Sequence, residues 1–173
     1  MGKMFLVATC MVLAFCQMCG CDSISKEKAG SVGAKMIEPA MIITKEDAKA
    51  LTGVSLGECT VKEEPRVGLK LCVYEKDGAF FQVGLTQMAF MDKKSREGGN
   101  TPQSIFKATK SAVQDASKID GVGDDNFLMP PGLHILKGQY YMTVSFGLMA
   151  KDKEKLQAAG MRAVENLIKY SAQ

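Results

Sequence analysis

The chain has 173 residues, of which 22 are basic and 19 acidic, so its formal net charge at pH 7 is +3. Charges of both signs are interspersed, and there is no basic block with interleaved aromatic residues of the kind that nucleic-acid binding requires, so nucleic acid is excluded as an expected partner. The length suffices for one domain with a hydrophobic core.

The beginning of the chain has the composition of an export signal that ends in a cysteine. Lys3 and the free amino terminus are positive, and residues 4–15 form an uncharged apolar run that is shorter than the roughly 20 residues of a membrane-spanning helix. Met18-Cys19-Gly20-Cys21 then resembles the lipobox of bacterial lipoproteins, in which the cysteine is linked to diacylglycerol and the chain is cut just before it. The resemblance implies a signal peptide over residues 1–20 and a lipid on Cys21. The alternative is an uncleaved anchor over residues 4–21.

Lipidation of Cys21 implies an exported protein of the bacterial cell envelope that is attached to a membrane through its lipid. Asp22 resembles an inner-membrane retention signal of some Gram-negative bacteria, which favours the periplasmic face of that membrane. Residues 22–38 are small, polar and aperiodic, so residues 21–38 are predicted to be the lipidated cysteine and a flexible tether. We therefore expect the folded domain over residues 39–173.

Two cysteines, Cys59 and Cys72, remain in the domain after signal cleavage. Because exported compartments are often oxidising, a Cys59–Cys72 disulfide is predicted, with two reduced core thiols as the alternative. A catalytic thiol is not expected, because no nearby combination of residues would lower the thiol pKa.

Three helices are predicted from capping residues and apolar spacing. Thr44 and Asp47 form a capping-box pattern before a short helix over residues 45–52. Asp152 caps a long helix that ends near residue 171. Between them, Thr101-Pro102 opens a helix whose inner face is a stripe of mostly small residues, Ile105, Ala108, Ala112, Ala116 and Ile119.

The predicted strands lie on either side of two-residue turns at Asp77-Gly78 and Gly138-Gln139. The element order is α-β-β-β-α-β-β-β-α, which indicates a single α+β domain with an antiparallel sheet and helices packed on one face. Each of the two turns is followed by paired aromatic residues. This repeated pattern of a turn and two aromatic residues is explained either by an internal duplication or by the same packing rules acting twice, and we favour the second explanation. The predicted strands cover residues 57–61, 69–74, 79–90, 127–129, 133–137 and 140–147.

No combination of residues predicts an active site, so the protein is not expected to be an enzyme or to hold a cofactor or metal. His134 is the only histidine, and neither a catalytic triad nor a histidine-based metal site can be built from it alone. Asp120, Asp124 and Asp125, with Asn126, form a candidate ligand loop whose oxygens suit calcium, although the spaced ligands of an EF-hand are missing. The alternative is a solvated turn.

The domain is similar to uncharacterised bacterial envelope lipoproteins that have a Cys-x-Tyr strand and a Gly-x-Gly-Asp loop. The residues that carry this resemblance are Leu51-Thr52-Gly53, Cys59, Leu71-Cys72-Val73-Tyr74 and Val122-Gly123-Asp124. It covers most of residues 42–170 and implies an exported α+β domain with a disulfide. It transfers no catalytic residue to this chain.

These observations support three hypotheses about function. The first is a membrane-tethered envelope lipoprotein with a non-catalytic binding or scaffolding domain, whose partner is another envelope protein. The second is a carrier of a small apolar ligand or lipid, held between the small-residue helix face and a strand with Phe80, Phe81 and nearby Met88. A hydrolase or metal-dependent enzyme is the third and ranks last.

Overall fold

The computed structural model describes residues 35–114, 116–147 and 152–172. These residues form five helices and six strands, and the predicted single α+β domain with an antiparallel sheet is confirmed. The helices are α1 (Pro39–Ile42), α2 (Lys45–Thr52), α3 (Lys93–Glu97), α4 (Pro102–Ser111) and α5 (Lys153–Ser171). The strands are β1 (Thr60–Glu64), β2 (Leu69–Lys76), β3 (Ala79–Thr86), β4 (Asp125–Met129), β5 (Gly132–Lys137) and β6 (Tyr140–Ser145).

The sheet consists of two three-stranded meanders that are joined edge to edge by the pairing of their last strands, β3 and β6. Its strand order is β1-β2-β3-β6-β5-β4, and β3 pairs with β6 in antiparallel orientation. Val83 lies opposite Val144, and each of these valines is the fifth residue after the two-residue turn of its own meander. The meanders are therefore related by a local two-fold axis at this valine pair. The repeated turn-and-aromatic pattern of the sequence marks equivalent positions in the two halves.

Helices α1, α2 and α5 cover one face of the sheet, where alternate residues of β2, β3, β5 and β6 point into the main core. Helix α4 is an exception to the predicted one-sided packing, because it lies on the opposite face against β5 and β6. There Phe106 packs edge-on against Phe127 and Tyr141, with ring centroids 5.2 and 5.4 Å apart. The sheet residues of the main core include Cys72, Tyr74, Phe81, Val83, Leu85, Leu133, Ile135, Met142 and Val144.

Helix α4 ends at Ser111, although the predicted apolar stripe continues to Ile119. The chain leaves the helix there because it has to pass around the outer edge of β4. The Leu128 amide donates a hydrogen bond to the Ser117 carbonyl (2.9 Å), and Ile119 is buried in the main core on the other side of the sheet. Ile105, by contrast, stays in the cluster around Phe106. The segment beyond α4 therefore covers the β4 edge.

Helices α2 and α5 have the predicted limits. Thr44 and Asp47 form the capping box of α2, and Gly53 ends that helix with a φ of 75°. Asp152 accepts a hydrogen bond from the Lys155 amide (3.1 Å) and begins α5. Among the helices of the described residues, none is both long enough and apolar enough to span a membrane.

The residues that precede α1 are hydrogen-bonded to Gln87, which directly follows β3. Ile37 is buried, its amide donates to the Gln87 side-chain oxygen (2.9 Å), and its carbonyl accepts from the Gln87 side-chain nitrogen (2.7 Å). Glu38 accepts a hydrogen bond from Lys70 Nζ at 2.6 Å. The predicted strand over residues 79–90 ends at Thr86, where the buried Gln87 begins this contact. The last residues of the predicted tether thus belong to the folded domain.

Candidate functional site

The candidate functional site is an open groove between the β5–β6 turn and the last turns of α5. Its volume is about 460 Å³, and it combines apolar and hydrogen-bonding side chains, as binding clefts commonly do. Ile168 is 50% exposed on its α5 wall, whereas the neighbouring Leu167 anchors that helix in the core. The lining residues are Asp124, Lys137, Gly138, Gln139, Tyr140, Leu167, Ile168 and Ser171.

Asp124, one of the three predicted ligand residues, fixes the turn that forms one wall of this groove. Its carboxylate accepts hydrogen bonds from the Gly138 amide (2.7 Å) and from Lys137 Nζ (2.6 Å). These two donors, the Gly138 amide first, hold the pKa of Asp124 below its usual value. The carboxylate therefore positions the turn and compensates the Lys137 charge.

The three aspartates of the predicted ligand loop do not converge. Asp125 pairs with Lys110 (2.5 Å) and Lys118 (2.8 Å), and these hydrogen bonds outweigh the effect of burial, so the pKa of Asp125 is lowered. The Asp120 carbonyl instead accepts a hydrogen bond from the Gln157 side chain (2.9 Å). The described residues contain no group of three or more His, Cys, Asp or Glu side chains placed to hold a metal ion. A solvated turn stays the favoured interpretation of this loop, and its role as a ligand loop stays a hypothesis.

Asn126 is the residue whose role the sequence did not reveal. It is 5% exposed, and its side chain accepts from the Ile119 amide and donates to the carbonyls of Ile119 and Val122, each at 2.8 Å. Its side-chain oxygen therefore already accepts a hydrogen bond within the protein, and the side chain links the loop before β4 to the sheet. Asparagine near an Asp-Gly loop also fits a calcium ligand, and only the fold distinguishes the two roles.

Cys59 and Cys72 lie at disulfide distance, as predicted, with their sulfur atoms 2.07 Å and their Cα atoms 5.5 Å apart. Cys72 lies opposite Val61 in the β1–β2 ladder, so Cys59, two residues earlier, is its diagonal neighbour on the same face. The pair therefore links the beginning of the edge strand β1 to the core strand β2.

His134 is a buried structural residue and lies outside the groove. It is 6% exposed, stacks on Phe127 with ring centroids 4.7 Å apart, and its Nδ1 lies 2.6 Å from the Tyr141 hydroxyl oxygen. Burial lowers the pKa of His134 to about 4 and raises the pKa of Tyr141 to about 12. Both side chains are therefore neutral at physiological pH.

This burial predicts a loss of stability on acidification. Below its ordinary pKa of 6.5, His134 takes up a proton in the unfolded chain, whereas the folded protein resists protonation down to about pH 4. Stability is therefore complete above about pH 6.5, and this residue alone removes about 1 kcal/mol between about pH 7 and pH 5.5. Urea denaturation at both pH values measures the loss. His134→Gln should reduce it by that amount, and an equal loss in the variant would contradict the assignment.

Phe81, one of the residues on which the carrier hypothesis was based, does not face the small-residue helix. Phe81 is fully buried in the main core and packs against Phe146, with ring centroids 5.0 Å apart. The small-residue helix α4 lies on the other face of the sheet, so it does not face Phe81. The carrier function stays a prediction that needs another site.

The predicted lipidation site, Cys21, and the lipobox before it lie outside the described residues. No protein-family model, curated protein or solved structure matches this chain. The geometry of the domain and the sequence are therefore the basis for a functional proposal.

Proposed function

We propose that the protein is a membrane-anchored lipoprotein of the bacterial cell envelope, and that its domain is a non-catalytic module that binds another envelope protein. The observation that carries the binding role is the open groove between the β5–β6 turn and α5. The anchor rests on the resemblance of Met18-Cys19-Gly20-Cys21 to a lipobox.

The contacts at the beginning of the described chain support the anchoring role. Lys70, whose side chain is only 8% exposed, pairs with Glu38 (2.6 Å) and Glu63 (3.2 Å). Burial alone would lower the pKa of Lys70, but the hydrogen bonds that its ammonium donates to these two carboxylates outweigh burial and raise the pKa. Together with the Ile37–Gln87 hydrogen bonds, this ion pair joins the domain firmly to the segment that leads towards Cys21.

The chemistry of the groove supports recognition of a protein surface. Its two charged side chains, Asp124 and Lys137, neutralise each other at 2.6 Å, which leaves neither as an evident acid, base or nucleophile. An exposed Ile168 next to the polar Gln139 and Ser171 offers an apolar contact with a polar rim, which is the usual composition of a protein–protein contact. The proposed partner inserts an apolar side chain against Ile168.

The anchor is tested by the intact mass of protein extracted from its native membrane without reducing agent. The expected mass corresponds to residues 21–173 with a diacylglyceryl group and two hydrogens fewer for the disulfide. A full-length, unlipidated chain would refute the anchor.

The binding role is tested by a photoreactive amino acid at position 168, incorporated into the full chain in cells. We expect discrete cross-linked adducts with another envelope protein. Met161 provides the matched control, because it lies two turns earlier on α5 with similar exposure, 52% against 50%, and outside the groove. Absence of adducts at position 168, or the same adducts at both positions, would contradict binding in the groove.

A further inference from the structure

The beginning of the described chain lies at one end of the sheet, close to several turns and loops. The strand register places Glu64, Leu69, Thr86, Tyr141, Leu136 and Asp125 in one row across the sheet. Ile37 is bonded to Gln87 immediately beyond this row. We call this the tether end: it comprises residues 35–38, the β1–β2 turn, the segment from residue 87 through α3, and the β5–β6 turn.

Helix α3 belongs to the tether end because its N-cap is attached to the β1–β2 turn. The Asp92 amide donates to the Pro65 carbonyl (2.8 Å), and the Asp92 carboxylate accepts from the Ser95 amide (2.7 Å). None of the α3 residues is buried, and three of the five are cationic: Lys93, Lys94 and Arg96. A basic, solvent-facing helix thus lies at the end of the sheet from which the chain continues towards the predicted lipid.

Three cations of the tether end are available for an external partner. The acidic neighbours Glu97 and Glu64 pair with Lys93 (3.7 Å) and Arg66 (3.4 Å), and Asp92 is used as the α3 cap. The ion pairs between described side chains do not include Lys35, Lys94 or Arg96. Met36, next to Lys35, is a large apolar side chain that is 44% exposed. Cations beside an exposed apolar side chain are the composition of a surface that contacts anionic lipid headgroups.

We propose that the tether end docks on the membrane, with Lys35, Lys94 and Arg96 contacting anionic phospholipid headgroups. This inference rests on the proposed lipid anchor at Cys21. For the tether predicted from the sequence, the general relation for a flexible chain gives a root-mean-square distance of about 20 Å between Cys21 and Lys35. The anchor therefore keeps the local lipid concentration high, and weak headgroup contacts suffice to orient the domain. Each cation favours the docked orientation roughly fivefold on a strongly anionic surface.

The orientation is tested with full-length lipidated protein in two kinds of vesicle, pure phosphatidylcholine and phosphatidylcholine mixed with phosphatidylglycerol. Hydrogen exchange, read by mass spectrometry, reports on residues 93–100. We expect exchange there to be at least about fivefold slower on the anionic vesicles, and the difference to disappear at high salt because the contacts are screened. Equal exchange on the two kinds of vesicle would overturn the docking.

Charge-reversal variants locate the contact. Lys94→Glu/Arg96→Glu should abolish the protection, and Lys35→Glu, which lies outside the helices, should reduce it. The matched control is Lys153→Glu/Lys155→Glu in the exposed first turn of α5, about 28 Å along that helix from the tether end. The control should keep the full protection. Protection that survives in Lys94→Glu/Arg96→Glu and Lys35→Glu, or that is lost in the control, would overturn the assignment.

Flotation separates the two proposals. Lipidated protein should float with pure phosphatidylcholine vesicles at high salt, because insertion of acyl chains does not depend on charge. Protein that fails to float lacks the anchor, and both proposals then fall. Protein that floats but shows equal exchange on both vesicle types retains the anchor and refutes only the docked orientation.

Discussion

Replacing Asn126 with alanine is expected to lower the free energy of unfolding by about 4 kcal/mol, as measured by urea denaturation. The asparagine is buried and makes hydrogen bonds to two backbone groups of Ile119 and to the Val122 carbonyl. Alanine leaves these three groups without their partner, and each buried unsatisfied group costs about 1–3 kcal/mol. Water that enters the vacated space satisfies some of these groups, so the expected loss of stability is smaller than the sum of three maximal costs.

Asn166→Ala is the matched control for this experiment. The Asn166 side chain is only partly buried, and its nitrogen donates to the Ile42 carbonyl (2.9 Å) and, over a longer distance, to the Asp47 carboxylate (3.3 Å). Because water can reach these groups, the loss of Asn166 should cost less than that of Asn126, about 1–2 kcal/mol. Similar losses in the two variants would contradict the special role of Asn126. A calcium-dependent rise in stability that Asn126→Ala abolishes would also contradict it and would support the ligand-loop hypothesis.

Removal of the Cys59–Cys72 disulfide is expected to lower the free energy of unfolding by about 3 kcal/mol. The bond closes a loop between residues 13 apart in sequence, which restricts the unfolded chain. It also holds the beginning of β1, a strand whose five residues are all exposed and whose sheet partner is β2 alone. Hydrogen exchange of β1 should therefore accelerate more than that of β5 when the bond is reduced.

Cys59→Ala/Cys72→Ala provides the control for reduction. The double variant should unfold at lower urea concentration than the oxidised wild type, and dithiothreitol should leave its midpoint unchanged. If dithiothreitol fails to shift the midpoint of the wild type although mass spectrometry shows both thiols free, the stabilising role of the bond is refuted.

Sequence patterns predicted the limits of α2 and α5, which depend on local interactions. The capping box at Thr44 and the cap at Asp152 each involve residues three positions apart, so the ends of α2 and α5 could be predicted. Helix α1 was missed because four residues are too few to show a period. Helix α4 was predicted too long because its end is determined by contacts of Ser117 and Ile119 with β4, which composition does not encode.

The groove illustrates why the candidate site was only partly predictable. Asp124 was singled out by its position in an Asp-Gly loop, but its hydrogen bond to Gly138 joins residues 14 apart. Ile168 shares the groove with Tyr140 only because α5 packs back over β5 and β6. In the sequence Ile168 belongs to the apolar face of a helix, so nothing local distinguishes it from a core residue.

The two edges of the sheet differ in a way that restricts self-association. The segment after α4 lies on the outer side of β4, where the Leu128 amide already donates a hydrogen bond to the Ser117 carbonyl. On the other side β1 is open, but it carries Lys62, Glu63 and Glu64. Antiparallel addition of a second β1 centred on Lys62 or on Glu63 places like charges directly opposite each other, which is unfavourable. The charges of this short strand thus disfavour these two antiparallel pairings of β1 with the β1 of a second copy.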